Sequence, residues 1–237
     1  MSKNSMKKDG TLYYRQTDFW RILGAGLMIA GVVWFYIGYS MASYYIPCVI
    51  TPVGLVLFLV FSSRHVSDAD MDEERAHRLT DYDASITSRG DYSRIVLRQP
   101  SDIETEAYHM GDPATCYKRN KNGKLVSDRF VKSHFFFVAD GIWVVSRTLS
   151  MTVSREEEGA VADAEYLIPY AEMQFASLSE SSVQVTLTAS QKAATAHMTE
   201  LVITGKEGEL LRLPVPNDMD MSNLCEALNR KIKELSH

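Results

Sequence analysis

The chain passes through three hydrophobic patterns in turn. From Ile22 to Ser63 there is no Lys, Arg, Asp, Glu or His. Two runs inside this stretch, Ile22 to Ser40 and Tyr44 to Phe61, each approach the roughly 20 apolar residues with which a helix crosses a hydrocarbon layer about 30 Å thick. Only Met41-Ala42-Ser43 separates them, so the pattern predicts two antiparallel helical spans. From about Ser93 the period becomes two. Ile95 with Leu97, then Ile103 to Met110, Thr115 to Lys118, Leu125 to Val131, His134 to Val138 and Ile142 to Ser146 read as strands. So do Tyr166 to Met173, Ser182 to Leu187, Glu200 to Thr204 and Glu209 to Val215. Asn122-Gly123 predicts a two-residue hairpin turn, and Ala139-Asp140-Gly141 a second hairpin. The period then turns helical. Met221, Leu224, Cys225, Leu228, Ile232 and Leu235 fall on one face, with Asp220 or Ser222 as cap. Such a helix is expected to plug an open end or edge of the sheet.

These patterns divide the chain into a tail (1–21), a transmembrane hairpin (22–63), a charged linker read as a short exposed helix (64–92) and a folded domain (93–237). Lys3, Lys7, Lys8, Arg15 and Arg21 precede the first span, and Arg64, Arg75 and Arg78 follow the second. The connecting loop carries no such charge, so the positive-inside rule places both termini in the cytoplasm. Trp20, Trp34, Tyr36, Tyr39, Tyr44 and Tyr45 gather towards the span ends, where aromatic rings suit the headgroup level. A cleaved signal peptide fits less well, because the polar lead is long and a second apolar run follows at once. Gly26 and Ala30 form a small-xxx-small pair suited to close helix contact, with the second span or with a partner subunit.

Composition adds mainly exclusions. The three cysteines, Cys48, Cys116 and Cys225, are scattered, and no metal-ligand spacing accompanies them, so neither a disulfide framework nor a zinc site is expected. Asp68-x-Asp70-x-Asp72 lacks the central glycine and acidic twelfth position of a calcium loop. There is no phosphate-binding glycine loop, no nucleophile elbow and no His-Glu-x-x-His. The six histidines stand apart from cysteines and paired carboxylates. The sequence therefore predicts no enzyme and no cofactor.

Charge supplies the one sharper lead. The chain carries a net charge of -5. Against that acidic background, residues 116–132 hold Lys118, Arg119, Lys121, Lys124, Arg129 and Lys132 with Asp128 as the one acid. A basic hairpin of this kind either blunts a strand edge by its charge or faces anionic lipid headgroups. Nucleic acid is disfavoured, since the net charge of the domain repels a phosphate backbone.

Phe135-Phe136-Phe137-Val138, the turn at Asp140-Gly141, Ile142-Trp143-Val144-Val145, then Ile168-Pro169-Tyr170, paired strands and a last helix together form an ordered pattern. Over roughly residues 93–237 this pattern resembles the bacterial pleckstrin-homology-like domain, a family that includes members behind a two-helix membrane anchor. The resemblance implies a seven-stranded, strongly bent sheet or barrel capped by a C-terminal helix, without catalytic residues. In lipid-binding pleckstrin-homology domains, the basic residues also lie around the first hairpin. The expectation is a non-enzymatic, membrane-tethered interaction or scaffold protein whose cytosolic domain binds a protein partner or the anionic membrane surface. An accessory subunit of a transport or secretion complex is the alternative.

Overall fold

The structure is a computed structural model that describes residues 10–37, 41–87, 102–112, 115–154 and 157–235. It divides into two compact units, Met1–Ser67 and Asp68–His237.

The first unit is helical. A short helix α1 (Gly10–Arg15) precedes α2 (Phe19–Ile37) and α3 (Met41–Ser63). Both α2 and α3 are long and apolar enough to cross a membrane. The link expected at Met41-Ala42-Ser43 forms the first turn of α3 instead, and 38–40 lie outside the described residues. The two helices approach through glycines. A Cβ at Gly24 would lie 2.7 Å from the Phe58 nitrogen and 2.9 Å from the Gly54 oxygen; one at Gly54 would lie 2.7 Å from the Met28 nitrogen. A Cβ at Gly31 would meet the Thr51 hydroxyl at 2.1 Å. Backbones this close gain dispersion contact that larger side chains would forbid. At the other end of the hairpin, the Gln16 amide bonds both the N–H and the carbonyl of Val66, His65 meets Asp18 at 3.2 Å, and Trp20 stacks on Phe61.

The second unit is mainly antiparallel sheet. After α4 (Asp68–Thr87) come β1 (Asp102–Tyr108), β2 (Tyr117–Arg119), β3 (Leu125–Ser127), β4 (Arg129–Phe137), β5 (Gly141–Ser150) and β6 (Val161–Pro169). These are followed by β7 (Met173–Thr186), β8 (Ala193–Gly205), β9 (Gly208–Val215) and α5 (Met219–Leu235). β1-β4-β5-β6 form one sheet, β7-β8-β9 a second, and β2-β3 a separate hairpin inserted between β1 and β4. The Ile95 and Leu97 strand lies outside the described residues. The strand read over Tyr166 to Met173 is split at Tyr170 by a single 3-10 turn, where the chain passes from the first sheet to the second. Leu125 to Phe137 breaks at Asp128, not at Lys132 and Ser133.

The main core lies between the two sheets and α5. Phe135, Ile142, Val144 and Ile168 from the first sheet meet Leu201, Ile203, Leu211 and Leu213 from the second and Met221, Leu224 and Leu228 from the helix. Apolar residues recurring every third or fourth position turn one face of α5 inward. The helix lies along β7, the edge of its sheet. Its cap is Asp218, whose carboxylate accepts from the Met221 N–H at 3.0 Å; Asp220 and Ser222 lie two and four residues further on, already inside the helix.

The opposite face of the first sheet is covered by α4. Met71, Leu79, Tyr82 and Ile86 of that helix are buried, so the stretch read as an exposed helix has one apolar face turned inward. Arg78 donates to the carbonyls of Ser150 and Val153, and Arg75 lies 4.5 Å over the Phe130 ring. Coverage on both faces explains why Phe135-Phe136 and Ile142 to Val145 run apolar without alternation.

Candidate functional site

The basic hairpin is held at its base by groups that point inward. Tyr117 of β2 exchanges bonds with the β7–β8 turn: its N–H donates to the Thr188 hydroxyl, and its carbonyl accepts from the Thr188 N–H, both at 2.9 Å. The ring is buried with Met110, Val185, Ala194 and Ala196, and that burial raises the Tyr117 hydroxyl above its ordinary pKa. Asp128 is buried as well. Its carboxylate accepts from the Cys116 N–H at 3.0 Å and from the Thr152 hydroxyl at 2.6 Å. The one acid of the 116–132 segment is therefore spent inside the fold and does not face the lysines.

Arg119 and Leu125 pair across the hairpin, and Asn120 donates to the Lys124 carbonyl. This leaves a three-residue loop, Lys121-Asn122-Gly123, in place of the two-residue turn expected at Asn122-Gly123. Gly123 alone takes the left-handed backbone, with φ +76, where a mirror-image two-residue turn needs positive φ at both central positions. The Asn120 side chain accepts from the N–H groups of Asn122 and Lys124, at 3.1 Å and 2.9 Å. The Lys121 N–H donates to the carboxylate of Asp68, the first residue of α4, at 2.8 Å.

The six basic residues singled out in the sequence do not form one patch. Lys118, Arg119, Lys121 and Lys124 lie on the hairpin, the last three exposed. Arg129 begins β4 and pairs with Asp112 at 3.3 Å. Lys132 is buried beneath α4, held by Asp83 at 3.1 Å and Glu104 at 2.7 Å. Burial lowers its affinity for a proton, and the two carboxylates more than restore it, so the net shift is upward. His134 lies beside it, 3.1 Å from Asp83 and edge-on to Tyr82. Charge density along the sequence registers Lys132 as part of a patch. Its position at the buried centre of a strand, two residues from His134, is set by sheet and helix together.

Gly26 and Ala30 also turn away from the place that spacing suggested. A Cβ on Gly26 would meet nothing within 4 Å, and Ala30 is exposed; Gly24, Gly31 and Gly54 make the contact between α2 and α3. The Asp68 and Asp72 carboxylates of the calcium-like triplet accept from Lys121 and Arg75. Among the described residues, no group of three or more His, Cys, Asp or Glu is placed to hold a metal ion.

No protein-family model matches the chain, and neither a curated protein nor a solved structure matches it.

Proposed function

We propose that the chain is a membrane-tethered, non-enzymatic interaction protein of the bacterial inner membrane, both termini cytoplasmic, whose pleckstrin-homology-like domain presents its basic hairpin to the anionic membrane surface. The order of elements supports the domain reading. Setting the β2–β3 insertion aside leaves a four-stranded meander, a three-stranded meander and a final helix. The insertion falls between the first two strands of that meander, the region where lipid-binding members of the resembled family carry basic residues.

The observation that carries the membrane reading is the bond between Lys121 and Asp68. Residue 68 follows Ser63, the end of α3, by five positions, and a chain spans at most about 3.5 Å per residue. Only a few residues of chain thus separate the apolar hairpin from the residue that ties the basic loop. Each Lys or Arg close to an anionic leaflet contributes about 1 kcal/mol, an attraction that fades over a Debye length of about 8 Å. Tethering raises the effective concentration, so so small a gain suffices to set the domain's tilt and leaves the acidic remainder to recruit a protein partner.

The test uses the full chain in nanodiscs of neutral or anionic lipid. Amide hydrogen exchange over 117–127 is expected to slow in the anionic discs, and to stop doing so when Lys121 and Lys124 are changed to Glu. Equal exchange in both discs removes the proposal. A second reading, an accessory subunit of a transport or secretion complex, is favoured by the helix face at Gly26, where no described residue comes within 4 Å of an added Cβ. Native co-purification with mass spectrometry decides it: a partner lost on Gly26→Leu supports the subunit, and a partner indifferent to it does not.

A further inference from the structure

We infer that the hairpin loop reads the charge density of an anionic bilayer and not the identity of any one headgroup, a refinement that rests on the membrane role proposed above. A site selective for one phosphorylated headgroup holds its phosphate with directional donors, chiefly backbone N–H groups and the paired fork of a guanidinium. In this loop the backbone donors are already engaged. The N–H of Asn120 goes to the Lys124 carbonyl, that of Gly123 to the Asn120 carbonyl, those of Asn122 and Lys124 to the Asn120 side chain, and that of Lys121 to Asp68. Arg119 turns one guanidinium N–H back onto the Gly123 carbonyl at 2.9 Å, so its side chain is held against the loop's own backbone at that group.

Beside Arg119, a pair of ammonium groups faces outward, on Lys121 and Lys124. Neither is in an ion pair among the described residues, and both are exposed. An ammonium on a four-carbon stem is a hydrated point charge without a fixed fork, so it reports the sign and amount of charge more than its arrangement. The loop is also open to its surroundings: a Cβ at Gly123 would meet nothing within 4 Å. Among the described residues nothing there encloses a ligand, and a flat charged surface fits better than a free phosphate.

The full chain in nanodiscs tests this through hydrogen exchange of 119–125, read as a ratio to the turn at Lys206-Glu207-Gly208 so that surface pH cancels. Discs carrying phosphatidylglycerol, phosphatidylserine or an inositol bisphosphate lipid are compared at equal total charge, beside neutral discs with about 10 mM inorganic phosphate. The expected result is slowing by the same factor, within about twofold, in all three anionic discs, and none with phosphate. The slowing disappears near 0.5 M salt, where the Debye length is about 4 Å. Lys121→Gln with Lys124→Gln also abolishes it while the Lys118 and Val126 amides, which face one another across the β2–β3 ladder, keep their protection. A preference of about tenfold or more for one headgroup at equal charge, or slowing by free phosphate, overturns the inference and leaves the membrane role standing. No difference between neutral and anionic discs overturns both.

Discussion

The side chain of Asn229 occupies both backbone groups of Ala176: the Ala176 N–H donates to Asn229 Oδ1, and Asn229 Nδ2 donates to the Ala176 carbonyl, each at 2.8 Å. One amide on α5 thereby imitates a residue of a neighbouring strand on β7, the edge of the second sheet. An uncovered edge is a template for unwanted pairing, and a helix laid along it closes it.

Asn229→Ala leaves both groups of Ala176, a residue 1% exposed, without their partner. Each buried, unsatisfied group costs about 1–3 kcal/mol, so the expected loss is on the order of 2–4 kcal/mol. Thermal melting of the full chain in detergent should fall by several degrees. An unchanged melting temperature removes the edge-closing role.

Asp83 and Lys132 should respond unequally. Asp83→Ala takes one of two carboxylates from a buried ammonium and is expected to cost about 1–3 kcal/mol, with faster hydrogen exchange along α4. Lys132→Met replaces the charge with an apolar stem and leaves carboxylates that reach water, Asp83 at 55% and Glu104 at 48% side-chain exposure. That change should be close to neutral in denaturant unfolding, and it should leave the lipid dependence of the hairpin unaltered.

The glycine contact between the spans can be probed by a rescue. Gly31→Ala places a methyl 2.1 Å from the Thr51 hydroxyl and should weaken the hairpin. Adding Thr51→Ala removes that atom, leaving the nearest Thr51 atoms of those contacts at 3.2 Å, and should restore most of the loss. Unfolding of the helical signal in mixed micelles measures the cycle. Additive effects would place the two residues apart.

Cys225 gives a pH dependence of known sign. Burial against the core pushes its thiol from 9.0 up to about 11. The folded chain therefore keeps a proton that the unfolded chain releases near its ordinary value, and stability declines as pH rises from about 9 to 11. Tyr170, raised to about 12 by burial, extends the decline upward. Cys225→Ala should flatten the curve between pH 9 and 11 in equilibrium unfolding. An unchanged slope there refutes the assignment.

Three features were legible in the sequence because each depends on neighbours along the chain. The absence of charge from Ile22 to Ser63 dictates long apolar helices whatever lies around them. Alternation at Val183, Val185 and Leu187, and helical spacing at Met221, Leu224 and Leu228, likewise follow from local periodicity. Relationships across the chain were not legible, since spacing carries no information about them. Asp68 and Asp83 read as solvated acids of a linker until α4 is laid on the sheet, where one ties the hairpin loop and the other joins Lys132 and His134. Lys132 read as part of a basic surface because sequence density cannot distinguish a strand's buried centre from its exposed end. Gly26 scored as well as Gly24 by composition. Only the crossing of two helices, which turns one face inward and the other out, separates them.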